Sequence, residues 1–188
     1  LFEEQVQLER FKFDEDLEKQ NYRNAEMVEV FPHVAHGGPK EHLMWVREAR
    51  QAVQMPIIAS LNAVNRDTWI EYAKRLEETG VDGLELNFLT APEQPGLRSE
   101  DIEQAQVDLV AELIRTISIP VSVKLGSAYT NVLNVITRMD HAGADAFVLF
   151  TKPFAPDIDL QKLALTSPVH FSAEPDNRIP LRYAALLE

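Results

Sequence analysis

From residue 56 onward the chain alternates short apolar runs with longer amphipathic ones. The apolar runs are PIIASL (56–61), DGLELN (82–87), PVSVKL (120–125) and DAFVLF (145–150), rich in Val, Ile, Leu and Phe. Each is too short for a stable helix and predicts a buried strand. Between them lie RDTWIEYAKRLEETG, SEDIEQAQVDLVAELIRTI and TNVLNVITRMDHAG. Trp69, Tyr72, Ala73 and Leu76 fall at helical spacing, as do Ile102, Val107, Val110, Ala111 and Ile114, so these segments predict amphipathic helices. Ser99 before Glu100 and Asp101 predicts a helix start, a hydroxyl cap followed by carboxylates that satisfy free amide donors. Gly80 and Gly143 predict helix ends in the left-handed conformation. Upstream, LFEEQVQLERFKFDEDLEKQ and EHLMWVREARQAVQ are helical in character and FPHVAHGGPK between them is loop-like. Downstream, VHFSAEPDNR predicts a short strand and a turn at Pro175-Asp176-Asn177.

A higher-order repeat organises these elements. MPIIASL resembles IPVSVKL at a 64-residue offset, and TGVDGLELN resembles AGADAFVLF at an offset of 63. Two successive βαβα units with near-continuous apolar strands predict a parallel sheet covered by helices. A doubly wound open sheet and a (β/α)8 TIM barrel both satisfy that pattern; the repeat favours the barrel, of which four strands are half. The chain begins Leu1-Phe2-Glu3-Glu4 and stops in RIPLRYAALLE, which has the character of a helix opening. The expectation is one α/β domain over residues 1–188, a fragment carrying only the central βα units of a TIM barrel.

Composition narrows the partners. With 45% hydrophobic residues in 188, the chain can bury a core. A net charge of −12 repels a phosphate backbone and no Lys/Arg cluster offsets it, so nucleic acid is not an expected partner. The absence of cysteine excludes disulfides and thiolate chemistry together, and fits a reducing cytoplasm. No apolar run approaches the ~20 residues that span a bilayer, and no basic-then-apolar leader is visible, so no membrane role is expected.

In a parallel barrel, catalytic groups sit at the C-terminal ends of strands and in the loops that follow. Those positions hold Ser60 and Asn62, Glu85 and Asn87, Lys124 and Gly126, and Thr151 and Lys152. Lys124 is the sharpest case. Val123 and Leu125 flank it, and alternate strand positions face opposite sides. If those two pack against helices, Lys124 points into the barrel mouth. There it could be a Schiff-base nucleophile, a phosphate ligand, a cation beside an electron-rich cofactor, or a structural partner of Glu85. Gly126 leaves room beside it for a close approach. His33, His36 and His42 fit no zinc spacing, and no metal site is expected. Asp157 and Asp159 either order the loop after the fourth strand or cap a turn.

The strands PIIASLNA, GVDGLELN, IPVSVKLG and AGADAFVLF resemble, in succession, those of the dihydroorotate dehydrogenases, FMN enzymes with a TIM-barrel fold. The opening LFEEQ, PDIDL (156–160) and IPLRYAALL (179–187) are similar to the branch called dihydroorotate dehydrogenase-like proteins. The resemblance covers nearly the whole chain. It implies a non-covalently bound FMN, hydride transfer with a small-molecule substrate, dihydroorotate above all, and a place in pyrimidine biosynthesis. It implies that Lys124 lies near the flavin N1 and C2 carbonyl, where a cation stabilises the charge of the reduced ring. It implies further that Asn87 contacts flavin and substrate, that Ser60 lies under the flavin, and that Thr151 stands where the family has a substrate-binding asparagine. Asn62 is a neighbour of that group. The family's FMN phosphate site follows later strands, beyond Glu188. One loop departs from the pattern: FLTAPEQPG replaces the Ser-Pro-Asn or Cys-Pro-Asn segment that carries the family's base, and leaves Thr90 as the hydroxyl there. Loss of a positioned base costs ~10²–10⁴ in rate. The alternative is therefore a catalytically silent paralogue that keeps the barrel as a binding or assembly module. A homodimer is the assembly to test for.

Overall fold

The computed structural model describes residues 39–63, 65–88, 96–152, 157–166 and 173–188. The first helix (α1, Pro39–Ala52) leads into strand β1 (Ile58–Leu61). Then follow α2 (Arg66–Glu77), β2 (Gly83–Asn87), α3 (Ser99–Thr116), β3 (Val121–Leu125), α4 (Val132–His141) and β4 (Ala146–Leu149). A hairpin of β5 (Asp157–Asp159) and β6 (Ala164–Thr166) and a 3₁₀ turn at Glu174–Asn177 precede the last helix, α5 (Arg178–Leu187). Strands β1 to β4 form one sheet in chain order, all parallel. The fold is therefore α/β, with helices joining consecutive parallel strands. Each expected strand from PIIASL to DAFVLF is present.

Strand alternation decides which residues make the core. Ala59 and Leu61 of β1, Leu84 and Leu86 of β2, and Val121, Val123 and Leu125 of β3 are buried. They share a cluster with Trp69, Ala73 and Leu76 of α2, Val107, Val110 and Leu113 of α3, and Val135, Ile136 and Met139 of α4. Each fully buried aliphatic side chain contributes about 1.5–3 kcal/mol relative to exposure. At the strand end, the rings of Trp69 and Phe88 pack with centroids 5.3 Å apart.

The sequence repeat has a structural counterpart. Asp82, just before β2, accepts a hydrogen bond from the Ile57 amide at 2.8 Å while its own amide donates to the Ile57 carbonyl at 2.9 Å. Asp145, just before β4, does the same with Val121, also at 2.8 and 2.9 Å. Each aspartate thus ties the start of its strand to the start of the preceding one, satisfying amides that would otherwise sit unpaired at the sheet edge. The chain reaches each aspartate through a reversal that needs positive φ, and glycine supplies it: Gly80 at 83° and Gly143 at 106°.

One expectation needs correction, and others fall outside the described residues. Ser99 is the first residue of α3 rather than its cap; Arg98 holds the cap position and its side chain makes no capping bond. Glu100 and Asp101 do occupy the first turn, where carboxylates favour the helix N-terminus. Pro175-Asp176-Asn177 forms a turn as expected, in 3₁₀ geometry running into α5, and the short strand expected before it lies outside the described residues. Residues 1–38, which include the first expected helix and, in the expected loop after it, His33 and His36, and residues 89–95, which include Thr90, lie outside the described residues, as do 64, 153–156 and 167–172.

Candidate functional site

The strand positions left over by the core all point the other way. Ser60, Glu85, Asn87, Ser122 and Lys124 alternate with buried residues and are half-buried or exposed. Parallel register aligns them in rows: Ser60 pairs with Glu85 and Glu85 with Ser122, while Asn87 pairs with Lys124 one layer nearer the strand ends. Ala146 and Val148 of β4 continue the two rows. A polar face thus lies back to back with the apolar one, on the same strands. Val123 and Leu125 do pack against helices, so Lys124 faces away from them as its flanking residues predicted.

Side-chain bonds join these positions. The Ser60 hydroxyl donates to Glu85 Oε1 at 2.8 Å, and Lys124 Nζ lies 3.7 Å from the same oxygen. The Thr151 hydroxyl donates to Asn87 Oδ1 at 3.0 Å, and Asn62 Nδ2 donates to the Asn87 carbonyl at 2.8 Å. Backbone pairing continues past the strand ends: the Phe88 amide donates to the Lys124 carbonyl at 3.0 Å and the Thr151 amide to that of Leu125 at 2.8 Å. Of the residues expected in the site, Ser60, Asn87, Lys124 and Thr151 therefore share one face and one end of the sheet, with Asn62 beside them.

The chemistry available follows from these bonds. At 3.7 Å the Lys124 ammonium is in charge contact with Glu85 but beyond hydrogen-bonding range, so that contact leaves its N–H donors for a ligand. Asn87 spends its carboxamide oxygen on Thr151, which turns its NH₂ toward other acceptors. Gly126 next to Lys124 has open space around it, where a Cβ would meet nothing within 4 Å. A cation and an amide donor on an open face fit a planar, acceptor-rich ring that gains negative charge, the character of a flavin pyrimidine edge. Glu85 is the residue that sequence reasoning undervalued. It shares the parity of Asn87 in LELN, but its role as the junction of Ser60 and Lys124 required the register of three strands. Among the described residues no cluster of three His, Cys, Asp or Glu side chains could hold a metal. His42 sits partly buried in α1, and burial pushes its pKa down.

A parallel α/β sheet with a cationic, amide-bearing strand-end face defines a class of site suited to an anionic or electron-rich ligand. No family model matches the chain. Curated proteins do. It is 30% identical over 122 residues to the catalytic subunit of dihydroorotate dehydrogenase B (NAD(+)) of Thermoplasma volcanium, covering 64% of this chain and 38% of that protein. The corresponding subunit of Thermoplasma acidophilum is 29% identical over 108 residues, covering 56% and 35%. Dihydroorotate dehydrogenase A (fumarate) of Lactobacillus delbrueckii is 26% identical over 113 residues, covering 59% and 37%. The chain is a relative of the dihydroorotate dehydrogenases, and it spans less than half the length of these curated relatives. Among solved structures, phosphonopyruvate hydrolase superposes on 62% of this chain and 43% of its own at a TM-score of 0.48 and 18% identity.

Proposed function

We propose that this chain is the part of an FMN-dependent oxidoreductase that binds the flavin ring and a small substrate, within a (β/α)8 barrel of which β1 to β4 are successive strands. The single observation that carries the proposal is the placement of Lys124 and Asn87 as register partners on the open polar face. The resemblance assigns flavin contacts to these same two positions. When bound, FMN supplies hydride acceptance and donation. The residues here supply the rest. Lys124 offers a fixed positive charge to the pyrimidine edge of the ring, Asn87 donates its amide, and Thr151 and Asn62 hold Asn87 in place. Ser60 sits one layer deeper, where a small hydroxyl keeps the floor of the site polar without filling it.

Dihydroorotate is the substrate this reading favours, with pyrimidine biosynthesis as its setting and the cytoplasm as its location. Thr90 is the hydroxyl available to a proton-removing role in the loop after β2. A second reading is supported by the sequence of that loop. FLTAPEQPG has neither serine nor cysteine, which favours a relative that binds flavin or a partner without oxidising dihydroorotate. Anaerobic mixing of the FMN-loaded protein with dihydroorotate separates the two. Bleaching of the flavin absorbance is expected for the enzyme; FMN uptake without bleaching contradicts that substrate, and no FMN uptake contradicts the oxidoreductase.

A further inference from the structure

The ion pair beneath the proposed flavin position has no assigned role. Lys124 is not alone on its face: Glu85 lies diagonally across the β2–β3 register, its Oε1 3.7 Å from the ammonium. That carboxylate is itself held, because Ser60 donates to the same oxygen at 2.8 Å from the neighbouring strand β1. The Glu85 side chain is 17% exposed and that of Lys124 31%, so the acid lies deeper than the base. An acid anchored from below draws the ammonium toward the sheet and offsets part of its charge.

We infer that Glu85 is a tuning residue: it restrains Lys124 and limits how strongly that cation favours the reduced over the oxidised flavin. The inference rests on the flavin reading above, and it fixes a sign. A merely structural acid, when replaced, would loosen the site and weaken the binding of both flavin forms. A restraining acid, when neutralised, frees the ammonium to approach the negative charge of reduced FMN. Glu85→Gln suits the test because glutamine keeps the shape and can still accept the Ser60 hydroxyl bond while losing the charge.

The experiment measures the FMN reduction potential, by photoreduction against an indicator dye, and FMN affinity for the wild type, E85Q, K124M and the E85Q/K124M double variant. The potential reads the ratio of affinities for reduced and oxidised flavin. E85Q is expected to raise that ratio roughly three- to fivefold, the size of a partly exposed charge pair. K124M is expected to lower it, and the double variant to stay close to K124M because no ammonium remains to be freed. An unchanged or lowered potential in E85Q with FMN still bound overturns the role of Glu85 and leaves the flavin reading standing. An equal rise in both backgrounds overturns action through Lys124. A wild-type protein that takes up no FMN overturns the flavin reading and this inference with it, a result distinct from the other two. Circular dichroism of each variant identifies any that fails to fold; should E85Q fail, E85A, which removes the same charge, provides the sign.

Discussion

The two faces of one sheet differ in almost every physical respect, although they are built from alternate residues of the same strands. The helix-covered face holds Leu84, Leu86, Val123 and Leu125, each with no exposed surface. The other holds Ser60 hydrogen-bonded to Glu85, Lys124 in charge contact with Glu85, and Asn87 bonded to Thr151. The contrast teaches where each property resides. Burial on the first face supplies stability; the second keeps polar groups that contribute little net stability, because each hydrogen bond replaces one to water. Such groups are intelligible as a ligand site, and substitutions should separate the two faces cleanly.

The largest effect is expected on the apolar face. Leu86→Ala leaves a cavity among β2, its helices and its neighbours and should cost about 2–5 kcal/mol in urea unfolding. A loss below that of a surface substitution would break the comparison. Next comes the clamp at the strand start: Asp145→Ala orphans the Val121 amide and should cost about 1–3 kcal/mol in the same measurement. On the polar face, Thr151→Val should change stability by no more than about 1.5 kcal/mol, yet weaken FMN binding several-fold because Asn87 loses its orientation. Equal losses of stability from Leu86→Ala and Thr151→Val would show that the faces do not divide the work.

The smallest effect concerns two exposed carboxylates outside both faces. Backbone amides hold Asp159 below its ordinary pKa of 3.8, chiefly Lys162 and then Gln161. The Ala173 amide and then Lys152 do the same for Asp176. Because both folded values are lowered, the stability they add is present above the unfolded pKa near 3.8 and is lost as pH falls through the lowered values. Lys152→Ala should therefore lower the melting temperature slightly at neutral pH and leave it unchanged well below that pH, which flattens the acid side of the profile. An effect confined to acid pH would contradict the assignment.

Much of this was legible in the residues, for reasons that can be named. Strands and helices followed from apolar periodicity because each element packs on one shared core. Leu76 and Val110 are fully buried where that period puts them. Gly80 and Gly143 were legible because the left-handed conformation admits few other residues. The similarity of Asp82 to Asp145 was visible as a repeat, but its meaning was not, since the partner amides of Ile57 and Val121 lie 24 or 25 residues away. The cap of α3 was misplaced by one residue because a serine at either of two positions favours a helix start. In the site, Lys124 was conspicuous as a cation inside an apolar run. Glu85 was named as a possible partner of Lys124, and the two do stand 3.7 Å apart, but its bond to Ser60 was hidden until register set the two side by side. The Thr151 bond to Asn87 was hidden in the same way: the two residues stand 64 apart in sequence.

The most direct test of the central claim, that the polar face is a flavin site, is FMN titration of the wild type and Lys124→Met, followed by flavin fluorescence and by unfolding in urea. The account predicts saturable FMN binding by the wild type, at least about tenfold weaker binding or loss of the reduced form's advantage in Lys124→Met, and unfolding curves that nearly coincide. Equal FMN binding and equal flavin reduction in both proteins, or loss of stability from Lys124→Met as large as that from Leu86→Ala, would contradict it.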